Sequence, residues 1–326
     1  MTGTPTDDYA RWAADEALLR VSWWYYKDEL TQEEIAKRLS ISRASVGRML
    51  DRARKVGLVT ISLKAEALQT FELSSRLCEA FGLDEALVVP DYDSHPATQR
   101  SINARLGIGG AQYMQSHLRP GISLGVGWGD TMARFLAACD FSDALPIHLV
   151  TLTGGVEGYL QAFTYLRAEN DGSQDMITAS VVQSPIIAST AAIAKALRSE
   201  PTIQQVLKMA TTLPYAVVGI GSVATDSTLV QMGYISAVDA RALANQGAVG
   251  DILGQCFDIN GKVLDLPIHD RRIGIELEDL PGITTVVGIA GGPTKTEAIL
   301  GALRGNYLDV LVTDELVAQR LLELAR

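Results

Sequence analysis

The residues that would declare a metalloenzyme, a secreted protein or a membrane protein are scarce in this chain. Its 326 residues hold three cysteines and four histidines, and aromatic residues make up 6%. Cys78, Cys139 and Cys256 are odd in number and far apart, which excludes a disulfide framework or a cysteine-based zinc cluster, so buried, inert thiols are expected. His95, His117, His148 and His269 have no carboxylate or cysteine at ligand spacing, so no metal site and no catalytic residue is expected. No run reaches the roughly 18 unbroken apolar residues of a membrane span. The opening stretch, MTGTPTDDYARWAADEA, is polar and acidic rather than basic and then apolar, so the expectation is a cytoplasmic protein with no membrane partner. GVGWGDT and GIAGGPT do not make G-x-G-x-x-G with a well-placed acidic residue. G-x-x-x-x-G-K-[ST] and H-E-x-x-H are absent, so no cofactor is expected.

What is present is ample core and a lopsided charge. Hydrophobic residues make up 47% of the chain, and its length suits two domains, one small and one large. The formal net charge of -10 argues against nucleic acid, yet Arg20 to Lys64 carries ten Lys/Arg against five Asp/Glu. A basic head on an acidic body can bind DNA through one end.

The stretch LTQEEIAKRLSISRASVGRML, Leu30 to Leu50, has the spacing of two helices around a short turn. Ile35, Ala36 and Leu39 share one face of the first helix, which Thr31 caps with Glu34 completing a capping box. SIS at Ser40 to Ser42 breaks the pattern, and Ser42 caps the second helix. Val46, Met49, Leu50 and Ala53 form that helix's apolar face, and Arg43, Ser45, Arg48 and Arg52 lie opposite, among Ala44 and Gly47. Upstream, Leu18, Leu19, Val21 and Trp23 or Trp24 offer a third helix as cover. A basic second helix after a three-residue turn is a helix-turn-helix, and operator DNA is the expected partner. Arg43, Ala44, Ser45 and Arg48 are expected at base edges. Tyr26, Thr31, Gln32, Arg52 and Lys55 are expected at phosphates. LVTISL, after Gly57, alternates as a short strand and would make the module winged. The DNA-binding domain is placed at residues 8–63.

From about Glu66 to Gly82 the pattern predicts an amphipathic helix able to link the modules and present a dimer face. Beyond it, strand-like runs (ALVVP, ISLGVGW, IHLVTLTGG, MITASVV, YAVVGIG, TTVVGIAGG, DVLVTDE) alternate with helical ones. That alternation predicts an α/β fold with a mainly parallel, doubly wound sheet over residues 64–326. Four of these runs end in glycine-rich loops, where backbone N–H groups and helix starts can meet an anion. Gly127, Gly129, Asp130, Thr131, Gly154, Gly155, Gly221 and Ser222 are therefore candidate ligand residues. Lys295, near a helix start, is the natural phosphate partner or else a solvated surface lysine. Asp251, in the apolar GAVGDILG, either accepts ligand hydroxyls or caps a turn. An Asn-Gly hairpin turn is expected at Asn260 and Gly261.

YYKDELTQEEIAKRLSISRASVGRML resembles the DNA-binding module of the SorC family of bacterial transcriptional regulators. GVGWGDTM, LVTLTGGV, GAVGDILGQCFDINGK, GIAGGPTKTEAILGALRG and VLVTDE resemble its effector domain, so the likeness covers nearly the whole chain. Within the family, RLGIGGAQYM, LVTLTGGVEGY, MGYIS and GAVGDILG are most similar to members that respond to phosphorylated autoinducer-2. The resemblance implies a Rossmann-like effector domain of the sugar-phosphate isomerase and aminosugar deaminase type. It also implies assembly as a homodimer or homotetramer, and control of sugar, polyol or autoinducer-2 uptake and catabolism genes by a small phosphorylated carbohydrate. An enzyme of that isomerase or deaminase class with an accessory DNA-binding head is the alternative. Asp251 and Lys295 fall where the family contacts its ligand. Trp128 and Asp130 depart from the family's glycine-threonine pair. An anion near Asp130 is repelled unless the side chain turns away, and its carboxylate suits a hydroxyl of an unphosphorylated sugar.

Overall fold

The computed structural model describes residues 5–59, 65–91, 97–142, 145–155 and 177–325. The chain divides into two compact units, Met1–Lys64 and Ala65–Arg326.

Among the described residues the first unit is three helices, α1 (Pro5–Tyr26), α2 (Gln32–Leu39) and α3 (Arg43–Lys55). The expected caps start α2 and α3. Thr31 accepts from the Glu34 amide while Glu34 reaches back to the Thr31 backbone, and Ser42 accepts from the Ser45 amide. Ser40 ends α2 in the left-handed conformation, turning the chain within three residues. Val21, Ile35, Ala36, Val46 and Leu50 form the core, with Trp24, Leu39 and Met49 packed against it. Cover comes from Leu18, Val21 and Trp24, because Leu19 and Trp23 point outward and are more than half exposed. Arg38 lies over the Trp24 ring. Leu58 and Val59 are not in a strand, and residues 60–63 of the expected wing lie outside the described residues.

The second unit opens with the expected amphipathic helix, α4 (Ala65–Phe81), closed by Gly82 at φ 70°. Seven strands form one parallel sheet: β1 (Glu85–Val89), β2 (Ser123–Val126), β3 (Ile147–Thr151), β4 (Ile177–Ser180), β5 (Tyr215–Gly219), β9 (Thr285–Ile289) and β10 (Val310–Asp314). Their order is β1-β10-β9-β5-β2-β3-β4. Alternate residues leave opposite faces of each strand: Ala216, Val218, Val286 and Leu311 pack on one side, Val217, Val287, Val310 and Val312 on the other. The first side is covered by α4 and the helices Thr296–Arg304 and Glu315–Leu324. The second is covered by α5 (Gln99–Gln115) and α6 (Asp130–Ala138). This is the doubly wound architecture the sequence predicts.

Winding proceeds from β2 through β3 to β4 on one side and from β5 through β9 to β10 on the other. The reversal falls between β2 and β5, which are paired neighbours. Such a switch point opens a crevice beyond the strands' carboxyl ends.

A small antiparallel sheet, β6 (Gly221–Ser222), β7 (Gly250–Ile252) and β8 (Gln255–Phe257), begins one residue after β5. The hairpin β7–β8 turns at Leu253 and Gly254, both at positive φ. Two central residues at positive φ match the twist of the flanking strands. The expected turn at Asn260 and Gly261 follows β8: the Gly261 amide donates to the Asp258 carbonyl, Phe257 bridges Val263 in antiparallel fashion, and Asp258 Oδ1 accepts from the amides of Asn260 and Lys262.

Candidate functional site

On α3, Val46, Leu50 and Ala53 face the core, while Arg43, Ala44, Arg48, Arg52 and Lys55 are exposed and Ser45 is half-buried. Ser45 Oγ accepts from Arg48 Nη2 at 3.0 Å and lies 2.9 Å from Ser42 Oγ, so two of the expected base-reading side chains are held together. Tyr26 is exposed at the end of α1. The expected phosphate contacts are unequal. Thr31 Oγ1 donates to Glu34 Oε2 at 2.7 Å and accepts from the Glu34 amide, so its hydroxyl is occupied by the cap. Gln32 lies across Gly47 of α3, where an added Cβ would stand 3.8 Å from its Oε1.

In the second unit, the switch point holds a cleft of about 460 Å³, counting its open mouth. Trp128 to Thr131 enter it after β2, Gly219 to Ser222 after β5, Asp251 and Leu253 from the β7–β8 hairpin, and Lys295 from the loop after β9. Local chemistry explains these placements. Gly129 caps α6 at φ 116°, a conformation other residues rarely adopt, and supplies no side chain to occupy the helix start. Gly221 admits the Asp251 carboxylate: a Cβ there would stand 2.0 Å from Oδ1.

Asp251 is 5% exposed. Burial pushes its carboxyl up to about 6, against the Gly254 amide, which donates to Oδ2 at 3.0 Å, and the nearby Lys295 ammonium. Asp251 braces the hairpin turn, as one of its two readings expects, and it also lines the cleft. Lys295 is half-buried and donates from Nζ to the Ile220 carbonyl at 2.9 Å. Burial lowers its pKa, opposed by Asp251 and then Asp130. Asp130 Oδ2 accepts from Asn103 Nδ2 and Arg134 Nε, each at 2.9 Å. Burial alone would raise its pKa, but the bonds from Arg134 and Asn103 outweigh it and hold the carboxylate low. Its charge is therefore drawn toward Arg134. Asn103 is fixed in turn by Gln99, whose Nε2 also donates to the Gly291 carbonyl, tying α5, α6 and the Lys295 loop together. The cleft offers a cation, helix-start amides and carboxylate acceptors within one small volume, a donor set for a polyhydroxylated anion.

Of the ten expected ligand residues, Gly129, Asp130, Thr131, Gly221, Ser222, Asp251 and Lys295 line this cleft. Gly127, Gly154 and Gly155 do not. A Cβ on Gly127 would press on Val218, and one on Gly154 on the Ser184 and Pro185 carbonyls, so these glycines serve close packing. Gly155 lies beside the Tyr234 hydroxyl and Ile186. Asn103, Ser227, Thr228 and Leu229 also line the cleft, on elements without a glycine signature. Leu253 sits inside the GDILG stretch, two residues from Asp251, and the others carry no signal in sequence.

The histidines stay apart. His117 stacks on Tyr113, His148 bonds Thr178 and Ser180, and His269 Nε2 accepts from the Cys256 amide; His95 lies outside the described residues. Cys256 is buried, Cys78 and Cys139 are half-buried, and burial raises all three thiols. Among the described residues no helix is long and apolar enough to cross a membrane.

Residues 65–323 match the Sugar-bind family model, a sugar-binding domain. Joined to a helix-turn-helix, that domain defines a sugar-responsive, DNA-binding transcriptional regulator. Relatives narrow the class. The chain is 37% identical over 317 residues to the transcriptional regulator LsrR of Klebsiella pneumoniae subsp. pneumoniae, covering 96% of this chain and 94% of that one. Its similarity to LsrR of Enterobacter sp. strain 638 is also 37%, over 315 residues, covering 95% and 94%. The full-length sorbitol operon regulator SorC from Klebsiella pneumoniae superposes with a TM-score of 0.69 at 26% identity, covering 94% of this chain and 98% of that one. The protein belongs to the SorC family of sugar-binding transcriptional regulators.

Proposed function

We propose that this regulator binds operator DNA through α3 and is switched by a small phosphorylated carbohydrate held at the β2/β5 switch point. The observation that carries the reading is the Asp251–Lys295 pair beside the open start of α6. Arg43, Ala44, Ser45 and Arg48 meet base edges, with Arg48 braced by Ser45, and Arg52, Lys55, Gln32 and Tyr26 meet phosphates. Thr31 contributes as a helix cap and through the start of α2. In the cleft, Lys295 and the α6 amides take the anionic group, and Asp251 takes a hydroxyl. The bound molecule is read as a signal and not a substrate because the relatives are transcriptional regulators. The protein acts in the cytoplasm as a homo-oligomer. Phe71, 75% exposed, lies on α4, the helix expected to present the dimer face. Effector binding favours one arrangement of subunits and so changes the spacing of the DNA-reading helices.

The test is thermal melting of the full-length protein against sugars, polyols and their phosphates, including phosphorylated autoinducer-2 and sorbitol 6-phosphate. A ligand at about a hundred times its dissociation constant adds about 2.7 kcal/mol, a visible shift. Stabilisation by a phosphate that is absent in Lys295→Met supports the reading. Stabilisation by free sugars alone moves the contacts to Asp130 and Asp251, and no stabilisation by any of them overturns the effector assignment.

A further inference from the structure

We propose that Ser227 is a specificity-determining residue of this cleft, donating its hydroxyl proton to one oxygen of the bound carbohydrate; this rests on the cleft being the effector site. Ser227 is 7% exposed and lines the cleft beside Thr228 and Leu229. Its Oγ is shielded from solvent and has no hydrogen-bond partner among the described residues. Buried hydroxyls are almost always bonded, so an unpaired one in a cleft points to a partner supplied from outside.

Its position sharpens the point. Ser227 caps the single helical turn Thr228–Gln231, where a serine side chain ordinarily accepts from a nearby amide. Thr31, Ser42, Thr98, Thr190 and Ser236 all make that bond at their own helices. Ser227 makes none. The other buried, unpaired side-chain atoms among the described residues, on Ser22, Arg272 and Thr313, are not on residues that line the cleft. Leu229 and Leu253 share the lining with Ser227, so an oxygen brought to this hydroxyl would leave water behind. A site of that kind discriminates sharply against an analogue lacking the oxygen, because a polar group is then stranded. Since the hydroxyl is covered in this conformation, the Thr228–Gln231 turn must yield slightly as the carbohydrate enters.

The experiment compares full-length wild type with Ser227→Ala. Without added carbohydrate, the variant should melt at or slightly above the wild-type temperature, because no internal bond is lost. Calorimetry is then run with whichever compound of the melting panel stabilises wild type most. Its affinity should fall about tenfold or more in the variant. One deoxy analogue of that compound should bind wild type and variant equally, identifying the oxygen that Ser227 reads. A marked loss of melting temperature without carbohydrate would reveal an internal partner and overturn the proposal. Unchanged affinity in the variant overturns it too, while leaving the effector cleft standing. If no compound binds wild type, the effector assignment falls and takes this proposal with it.

Discussion

Replacing Asp251 by asparagine should stabilise the regulator at neutral pH and not at acid pH. The side chain is 5% exposed, and burial has moved its carboxyl from an ordinary 3.8 up to about 6. That displacement corresponds to about 3 kcal/mol of disfavoured ionisation in the folded state. The raised value fixes the sign. Below about pH 3 the carboxyl is protonated whether the chain is folded or not, and the cost is absent. Between about pH 4 and 6 the unfolded chain gives up this proton while the folded chain keeps it, so the cost grows across that window and is fully present by pH 7.5. Asparagine keeps an acceptor for the Gly254 amide, and the attraction of Lys295 is already included in the raised value. The gain at pH 7.5 is therefore about 3 kcal/mol, a rise of about 6–12 °C in the melting of the larger unit. Melting of wild type and Asp251→Asn at several pH values between 4 and 8 measures it. A variant equally displaced at pH 4.5 and 7.5, or less stable at 7.5, would refute the account of a buried, destabilising carboxylate. The same variant should lose most of its response to effector, the usual exchange of stability for function at a binding site.

The remaining predictions concern the DNA unit and the glycine beneath Asp251. Arg48→Ala should relax base preference in a binding-site selection. Lys55→Ala should instead weaken every sequence alike and reduce the salt slope by about one. Equal losses on all sequences in both variants would contradict that division. Thr31→Ala removes the α2 cap and should cost the small unit about 1 kcal/mol. The reciprocal bonds from Thr31 hold Glu34 below the usual carboxylate range, so the box contributes at neutral pH and is lost as pH falls through that lowered value. Wild type and Thr31→Ala should therefore converge on acidification in circular-dichroism melts. Gly221→Ala puts a Cβ within 2.0 Å of Asp251 Oδ1 and should cost about 1–3 kcal/mol while blunting the melting shift with effector. An unaltered shift would show that Asp251 is not needed in its present position.

Local chemistry determined the helix-turn-helix from sequence alone. The Thr31 and Ser42 caps, the three-residue turn and the apolar face of Val46, Leu50 and Ala53 depend on neighbours within one or two helical turns. The alternation of strands and helices likewise fixed a doubly wound sheet, and the glycine-rich loops marked many of the residues that line its cleft. Tertiary structure decided what sequence distance hides. Gly154 follows a strand as Gly129 does, but β3 lies outside the switch point, so Gly154 packs against Ser184 and Pro185 instead of lining the cleft. Trp23 and Trp24 look alike in a helical pattern, and only the packing of α1 on its partners selects Trp24 for the core. Asn103 and Ser227 carry no motif. They reach the cleft because strand order brings α5 and the loop after β6 to the same end of the sheet as Lys295. Caps and periodicities act over a few residues, whereas a cleft is assembled from segments nearly two hundred residues apart, whose proximity is set by the order of the strands.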